Sequence, residues 1–352
     1  MSSASTSYDS IRISLAETSD AGQWDTYLAN HSSRTYAHRF AWSGIFESAF
    51  SARPFYWIAR QDNQVVGILP SVLLSSSIFG RFLISMPWLD YGGPLSDAIE
   101  IDIALVDRAE EKAREFQCKF VELRAISNQL PNVVEKTDKR QFHLGLSDGE
   151  ESVWKSFDAK ARNQVRKAEK NGLKVEFGGP ELLGEFYRIF SRNMRDLGTP
   201  VWPRSLFRKI FEQFGEDTEL ALVHKGNKVI AAGLLVHYGD YSGVPSASAI
   251  RDYLSLCPNN LLYWEVIKRC IERGSRVFDF GRSSEGAGTY RFKKQWLKEP
   301  KIQTWQYRLL SIDSLPELNP SNPRFRMAIS IWRRMPIWLA NIIGPKIVTK
   351  LP

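Results

Sequence analysis

"FYWIARQDNQVVGILPSVLL" at residues 55–74 and "ELALVHKGNKVIAAGLLVHY" at residues 219–238 carry one pattern twice. In each, a run rich in β-branched and aromatic residues is interrupted by a polar turn, "RQDNQ" or "HKGNK", and then resumes. The pattern reads strand, turn, strand. Each hairpin precedes a helical stretch feeding a further strand, and the ends of those stretches also align. "AREFQCKFVELR" (113–124) matches "IERGSRVFDFGR" (271–282), Phe120 with Phe278 and Arg124 with Arg282. The chain is therefore expected to be an internal duplication: an α/β half at 1–150, a second at 151–315, and a tail at 316–352.

With 43% hydrophobic and 12% aromatic residues over 352 positions, the chain can bury a sizeable core and is not a disordered protein. Cys118, Cys257 and Cys270 are too few for a disulfide framework and lack metal-ligand spacing, which suits a reducing compartment. The start "MSSASTSYDSIRIS" has neither the basic residues nor the apolar run of a secretory leader, so a cytoplasmic location is expected. No stretch reaches the roughly 18 apolar residues of a membrane-spanning helix. The five histidines form no close pair and no nucleophile motif, and no metal site is expected.

The charge is concentrated at one end. Residues 321–352 hold six basic residues and no acid, leaving 41 basic against 39 acidic groups in the rest of a chain with net charge +8. A nucleic-acid binder would be expected to spread its basic excess over the folded body, so the total is weak support for such a role. The tail "RFRMAISIWRRMPIWLANIIGPKIVTKLP" interleaves arginines with Trp332, Ile337, Trp338, Leu339, Ile342 and Ile343. Two readings stand: an amphipathic segment at the inner-membrane surface, or a terminal helix pair docked on the protein's own core.

At the junction of the halves, "DAKARNQVRKAEKNGL" (158–173) predicts a helix of about four turns, opened by Asp158 and stopped by Asn171-Gly172. Ala161, Val165 and Ala168 share its inner face, leaving Lys160, Arg162, Asn163, Arg166, Lys167 and Lys170 on the rest. This is either a solvated basic face or a surface for a polyanionic, phosphorylated partner.

A hairpin followed by strand, helix and strand is the layout of GNAT-type acyltransferases. The helix start corresponding to their donor-phosphate site is "SLCPNNLLYWEVIKRC", with Pro258, Asn259 and Asn260 in its first turn. The arginine and glycine pattern that holds the coenzyme A pyrophosphate in that family is absent from it. Four ordered segments, "KARNQVRKAEKNGL" (160–173), "FYRIFSRNMRDLGTPVW" (186–202), "CPNNLLYWEVIKR" (257–269) and "FDFGRSSEGAGTYRFKKQW" (278–296), resemble the FemAB family of peptidoglycan side-chain aminoacyltransferases. They are most similar to its branch associated with exosortase and PEP-CTERM exopolysaccharide loci.

The resemblance implies two tandem GNAT-like domains that join an amine or hydroxyl to an acyl group, with no bound cofactor. The donor would be a co-substrate, aminoacyl-tRNA or acyl-CoA, making tRNA a candidate partner. No long helical-hairpin arm of the bridge-forming members is visible, so the acceptor is expected to be a phosphorylated or lipid-linked saccharide of the cell envelope or an exopolysaccharide. Two alternatives are an acetyl-CoA-dependent exopolysaccharide acetyltransferase and a catalytically degenerate pair that only binds the exopolysaccharide machinery.

Candidate site residues follow. In "RVFDF" the alternation puts Phe278 and Phe280 on one face and Asp279 on the other, where a buried carboxylate needs a partner; Arg282 is the nearest cation. Gly281, Gly286 and Gly288 allow close approach of a ligand, with Tyr290 and Phe292 beside it. The resemblance assigns the phenylalanine-lysine pair at Phe292 and Lys293 to the acyl-transfer centre, where an ammonium would stabilise an oxyanion. Asp196 in "NMRDLGTP", helped by Arg195 and Thr199, is either a general base near a helix C-terminus or a salt-bridge partner. Asp90 and Tyr91 in "MPWLDYGGPL" stand where relatives hold the acceptor.

Overall fold

The computed structural model describes residues 11–77, 79–125, 130–315 and 323–350. The segment read for a leader, 1–10, the linker 316–322 and the side chain of Arg324 lie outside the described residues. Both hairpins form where the turn chemistry put them. β2 (Arg53–Gln61) and β3 (Gln64–Ser76) close at a Gln61–Gln64 pair around Asp62 and Asn63, which adopt φ of 50° and 65°. Two left-handed residues in a row match the right-handed strand twist, and Asp and Asn tolerate that conformation best after glycine. β9 (Thr218–Lys225) and β10 (Lys228–Tyr238) close around Gly226, at φ 58°, and Asn227.

Each hairpin continues into a parallel pair that parts after a few residues. In the first half β4 (Gly80–Ile84) runs beside β6 (Phe120–Leu123) only at Leu83–Val121 and Ile84–Glu122. In the second, β11 (Tyr241–Ala249) runs beside β12 (Val277–Ser284) only from Tyr241–Val277 to Gly243–Asp279. Crossover helices α3 (Ile99–Glu115) and α8 (Pro258–Glu272) link the members of each pair. These helices cover the sheet with Leu105, Val106 and Ala109, and with Leu262, Val266 and Ile267, all nearly inaccessible to solvent.

The halves do not close separately. β7 (Val134–Gly145) pairs with β12 of the second half, and β13 (Lys301–Leu309) pairs with β6 of the first and with β7. A single sheet results, with β7 and β13 exchanged across its middle.

The junction helix α5 (Ala159–Lys170) is shorter than expected but buries Ala161, Val165 and Ala168 as the periodicity required. Asp158 stands at its N-cap without a side-chain cap hydrogen bond; its carbonyl accepts from the Arg162 amide at 3.2 Å. The tail forms α10 (Pro323–Arg334) and α11 (Ile337–Val348), which pack on α6 (Leu183–Leu197). Trp332, Ala340 and Val348 join the main core, so one face of the tail is docked.

Candidate acyl-transfer site

Gly281 shapes the site. Its φ of 72° accompanies a bulge in which Asp279 faces His143 across to β7 while Arg282 faces Gln141. The extra residue turns Asp279 and Arg282 towards different partners. The expected Asp279–Arg282 pair is therefore corrected. Asp279, 1% exposed, accepts from the Tyr241 hydroxyl at 2.7 Å and the Gly281 amide at 2.7 Å, with Tyr91 and His143 each at 3.5 Å. The Nε2 of His143 lies 2.8 Å from the Tyr91 hydroxyl and 3.2 Å from that of Tyr241. Burial pushes the Asp279 carboxyl above its usual range, against the pull of His143.

Arg282 instead reaches across to the first half. Its Nε donates to Asp90 Oδ1 at 2.7 Å and its backbone amide to Oδ2 at 3.1 Å. Asp90 is fixed from two further sides. Gln303 of β13 donates to its carbonyl at 2.6 Å, and Arg124 donates to the carbonyls of Met86, Pro87 and Leu89 in the preceding loop. Arg124 is itself buried and paired with Glu122 at 2.8 Å. The two arginines that matched in the duplication converge on one ring: the guanidinium carbons of Arg124 and Arg282 lie 4.0 and 3.8 Å from the centre of Trp305. Such stacking fixes the orientation of both charges.

Lys293 closes α9 (Gly288–Lys293) and is only 8% exposed, so it is not a solvated lysine. Its Nζ donates to the Arg282 carbonyl at 3.0 Å. Burial lowers its pKa from 10.5 to about 8, opposed by the nearby carboxylates of Asp90 and Asp279. A Cβ on Gly281 would sit 2.9 Å from Asp90 Oδ2 and 3.7 Å from the Lys293 Nζ, which is the close approach that requires glycine here. A cavity of about 190 Å³ adjoins, lined by Tyr36, Trp88, Asp90, Trp202 and Arg282 among others.

A second cavity of about 190 Å³ lies at the N-terminus of α8, lined by Gln164, Cys257, Asn259, Asn260, Phe292 and Gln295. Asn260 donates to Gln164 Oε1 at 2.9 Å, tying α8 to the basic helix α5. Lys160 and Lys167, four residues before and three after Gln164, are exposed on the same side of α5. Arg162 departs from the expected open basic face, whereas Arg166 stays exposed. Arg162 donates to the carbonyls of Lys155 and Phe157, and Arg166 bonds Asn163 at 3.2 Å and overlies Trp154 at 5.6 Å. Tyr290 packs against Phe142, with ring centres 5.6 Å apart, and Phe292 against Tyr263 at 5.3 Å.

Asp196 stays apart from these groups. It is paired with Arg195 at 2.7 Å and with Arg192 at 3.9 Å, while Arg195 also donates to the Met335 carbonyl. The salt-bridge reading is the one its contacts match; Thr199 is exposed, and its amide donates to the Met194 carbonyl at 2.9 Å. The residues missed from sequence are His143, Tyr241, Tyr36, Gln303 and Trp305. Four of them meet through strand register around the exchanged strands, while Tyr36 reaches the site from a short helical turn at Tyr36–His38. Among the described residues no group of three or more His, Cys, Asp or Glu is placed to hold a metal ion, and no helix is long and apolar enough to cross a membrane.

Residues 155–294 match the acetyltransferase (GNAT) domain family. The chain is 27% identical over 96 residues to the Lipid II:glycine glycyltransferase of Staphylococcus haemolyticus, which spans 25% of this chain and 23% of that protein. Among solved structures, FemX superposes with a TM-score of 0.66 at 15% identity, covering 85% of this chain and 98% of FemX. The tandem GNAT protein of the clavulanic acid biosynthesis pathway gives 0.53 at 13% identity, covering 87% and 100%. The second half thus matches the acetyltransferase (GNAT) domain, and the fold is that of FemX and of tandem GNAT proteins, two GNAT-like halves followed here by a C-terminal helical tail.

Proposed function

We propose that the protein transfers an acyl or aminoacyl group directly from a phosphate-bearing donor to an amine or hydroxyl of a cell-envelope or exopolysaccharide precursor, in the cleft beside Asp90 and Lys293. The observation that carries this reading is the buried ammonium of Lys293 at the end of the parted β11–β12 pair. Attack on the donor carbonyl creates an oxyanion, and an ammonium already desolvated stabilises it far better than one in water. The attacking group gives up its proton to the cluster of His143, Tyr91, Tyr241 and Asp279. The ester oxygen or thioester sulfur then departs with the electron pair of the broken bond and takes up a proton.

The donor, aminoacyl-tRNA or acyl-CoA, would place its phosphates at the α8 cavity beside Lys160 and Lys167, where helix-terminal amides favour anions. The acceptor would enter by the cavity at Tyr36 and Trp202. A lipid-linked saccharide is the favoured acceptor, handled at the cytoplasmic side of the inner membrane. The branch associated with exosortase and PEP-CTERM loci is the one that the four ordered segments at 160–173, 186–202, 257–269 and 278–296 most resemble.

The test is thermal stabilisation by coenzyme A, an aminoacyl-adenosine mimic of charged tRNA, and UDP-linked sugars. Binding only to the folded state raises stability by RT ln(1 + [L]/Kd), so at a hundredfold excess over Kd a true substrate adds about 2.7 kcal/mol. No shift with any of the three overturns the reading.

A further inference from the structure

The two faces of the tail differ sharply. On α11 Ala340, Gly344 and Val348 are buried at successive turns, and a Cβ on Gly344 would lie 2.6 Å from the Val201 amide nitrogen. On α10 Trp332 is buried, and Ile329 and Arg333 crowd Gly198 at the end of α6. The tail is thus fastened to the body by small-residue contacts and by Arg195 and Arg333, which donate to the carbonyls of Met335 and Leu197. Its other face is apolar and bare. Met327 and Ile331, four residues apart on α10, are 71% and 59% exposed; Trp338 and Ile342, four apart on α11, are 63% and 55% exposed.

Basic residues surround that stripe. Arg326, Arg333, Arg334, Lys346 and Lys350 are all exposed, and residues 321–352 contain no acid to neutralise them. An apolar stripe rimmed by unopposed cations complements one partner above others, the headgroup boundary of an anionic bilayer. We propose that Met327, Ile331, Trp338 and Ile342 enter an anionic lipid surface with α10 and α11 lying in its plane. Because α11 packs on Val201, and the next residue, Trp202, lines the cavity at Asp90 and Arg282, this dock also holds the cleft at a fixed position relative to the bilayer. An acceptor carried on a lipid would then reach the cleft without leaving the membrane, a consequence that rests on the function proposed above; lipid binding itself does not.

The experiment uses the full chain and sedimentation with vesicles of phosphatidylglycerol and phosphatidylcholine, or of phosphatidylcholine alone. We expect binding to the anionic vesicles only, with tryptophan emission quenched by brominated lipid. In Trp338→Glu/Ile342→Glu, both at exposed positions, partitioning should fall at least about tenfold at an unchanged thermal midpoint, and the quenching should vanish. Arg326→Gln/Arg334→Gln/Lys346→Gln should bind more weakly than the parent at low salt and lose most of the parent's salt dependence, while the fraction that still binds keeps the quenching. Equal binding to both vesicle types, or a double variant that binds like the parent, overturns the proposal. So does a dimer in sedimentation equilibrium that the glutamate substitutions dissolve, since the stripe would then cover a second copy. The vesicle readout needs no turnover, so it stands or falls separately from the acyl-transfer reading.

Discussion

A buried ammonium is costly unless its charge is used, and Lys293 retains one that burial has already weakened. Its folded pKa of about 8 lies below the 10.5 of an exposed lysine, so between these values the unfolded chain binds a proton that the folded chain does not. Stability should therefore rise with pH across that window, and below it the charged side chain is a net cost. Lys293→Met keeps the bulk and removes the charge. At pH 7 it should be more stable than the parent by on the order of 2 kcal/mol in urea unfolding, the gap closing as pH passes from about 8 to 10.5. Its kcat should fall about a hundredfold with KM little changed, and the parent alone should lose kcat above pH 8 as the ammonium deprotonates. A variant both less stable at pH 7 and unchanged in kcat would make the lysine a structural prop. Asp279, Lys293, Asp90 and Tyr91 were legible as site candidates because small-residue strand ends and a matched motif mark them. The partner of Asp279 was not, because a one-residue bulge at Gly281 decides whether Arg282 faces it or faces Asp90.

At the scale of elements, the features legible in sequence were those with local causes: the left-handed turn residues Asp62, Asn63 and Gly226, the Pro258 helix start, and the inner face of α5. The exchange of β7 and β13 was not, since strand alternation shows which face a residue occupies and never which strand lies beside it. The basic face of α5 illustrates the same limit. Its charges look alike in sequence, yet Arg162 caps the end of α4 (Gly149–Ser156) while Lys160 and Lys167 remain exposed around Gln164. Two variants should separate these roles. Lys160→Gln/Lys167→Gln should leave stability within about 0.5 kcal/mol and weaken donor binding, with each charge-assisted phosphate contact contributing about 1.5–3 kcal/mol. Arg162→Gln should instead cost about 1–2 kcal/mol of stability by orphaning two carbonyls, with donor affinity retained. Calorimetric titration with the donor that stabilises the parent, paired with urea melts, distinguishes them; a shared loss of affinity would mean that α5 acts as a single patch.

For the whole molecule, the exchanged strands determine how it comes apart. Tyr307 and its neighbours on β13 pair with Glu122 and β6, while Leu144 and His143 on β7 pair with Phe278 and Asp279 on β12. A cut near residue 150 therefore leaves the first half with β6 lacking β13, and with β7 lacking both partners. The open edges of β6 and β7, together with Phe120, Phe142 and Leu144 stripped of their cover, favour aggregation over independent folding. The site obeys the same logic, since Asp90 comes from one half, Arg282 and Lys293 from the other, and Gln303 from the exchanged strand that clamps Asp90. The intact chain should thus melt in one transition, with calorimetric and van't Hoff enthalpies equal, despite a length at which separate domains usually melt apart. Residues 1–150 expressed alone should be insoluble, and soluble when co-expressed with 151–352, which supplies β12 and β13. A soluble 1–150 fragment with a dispersed amide spectrum, or two resolved melting steps in the intact chain, would show that the exchange is only a contact between independently stable units.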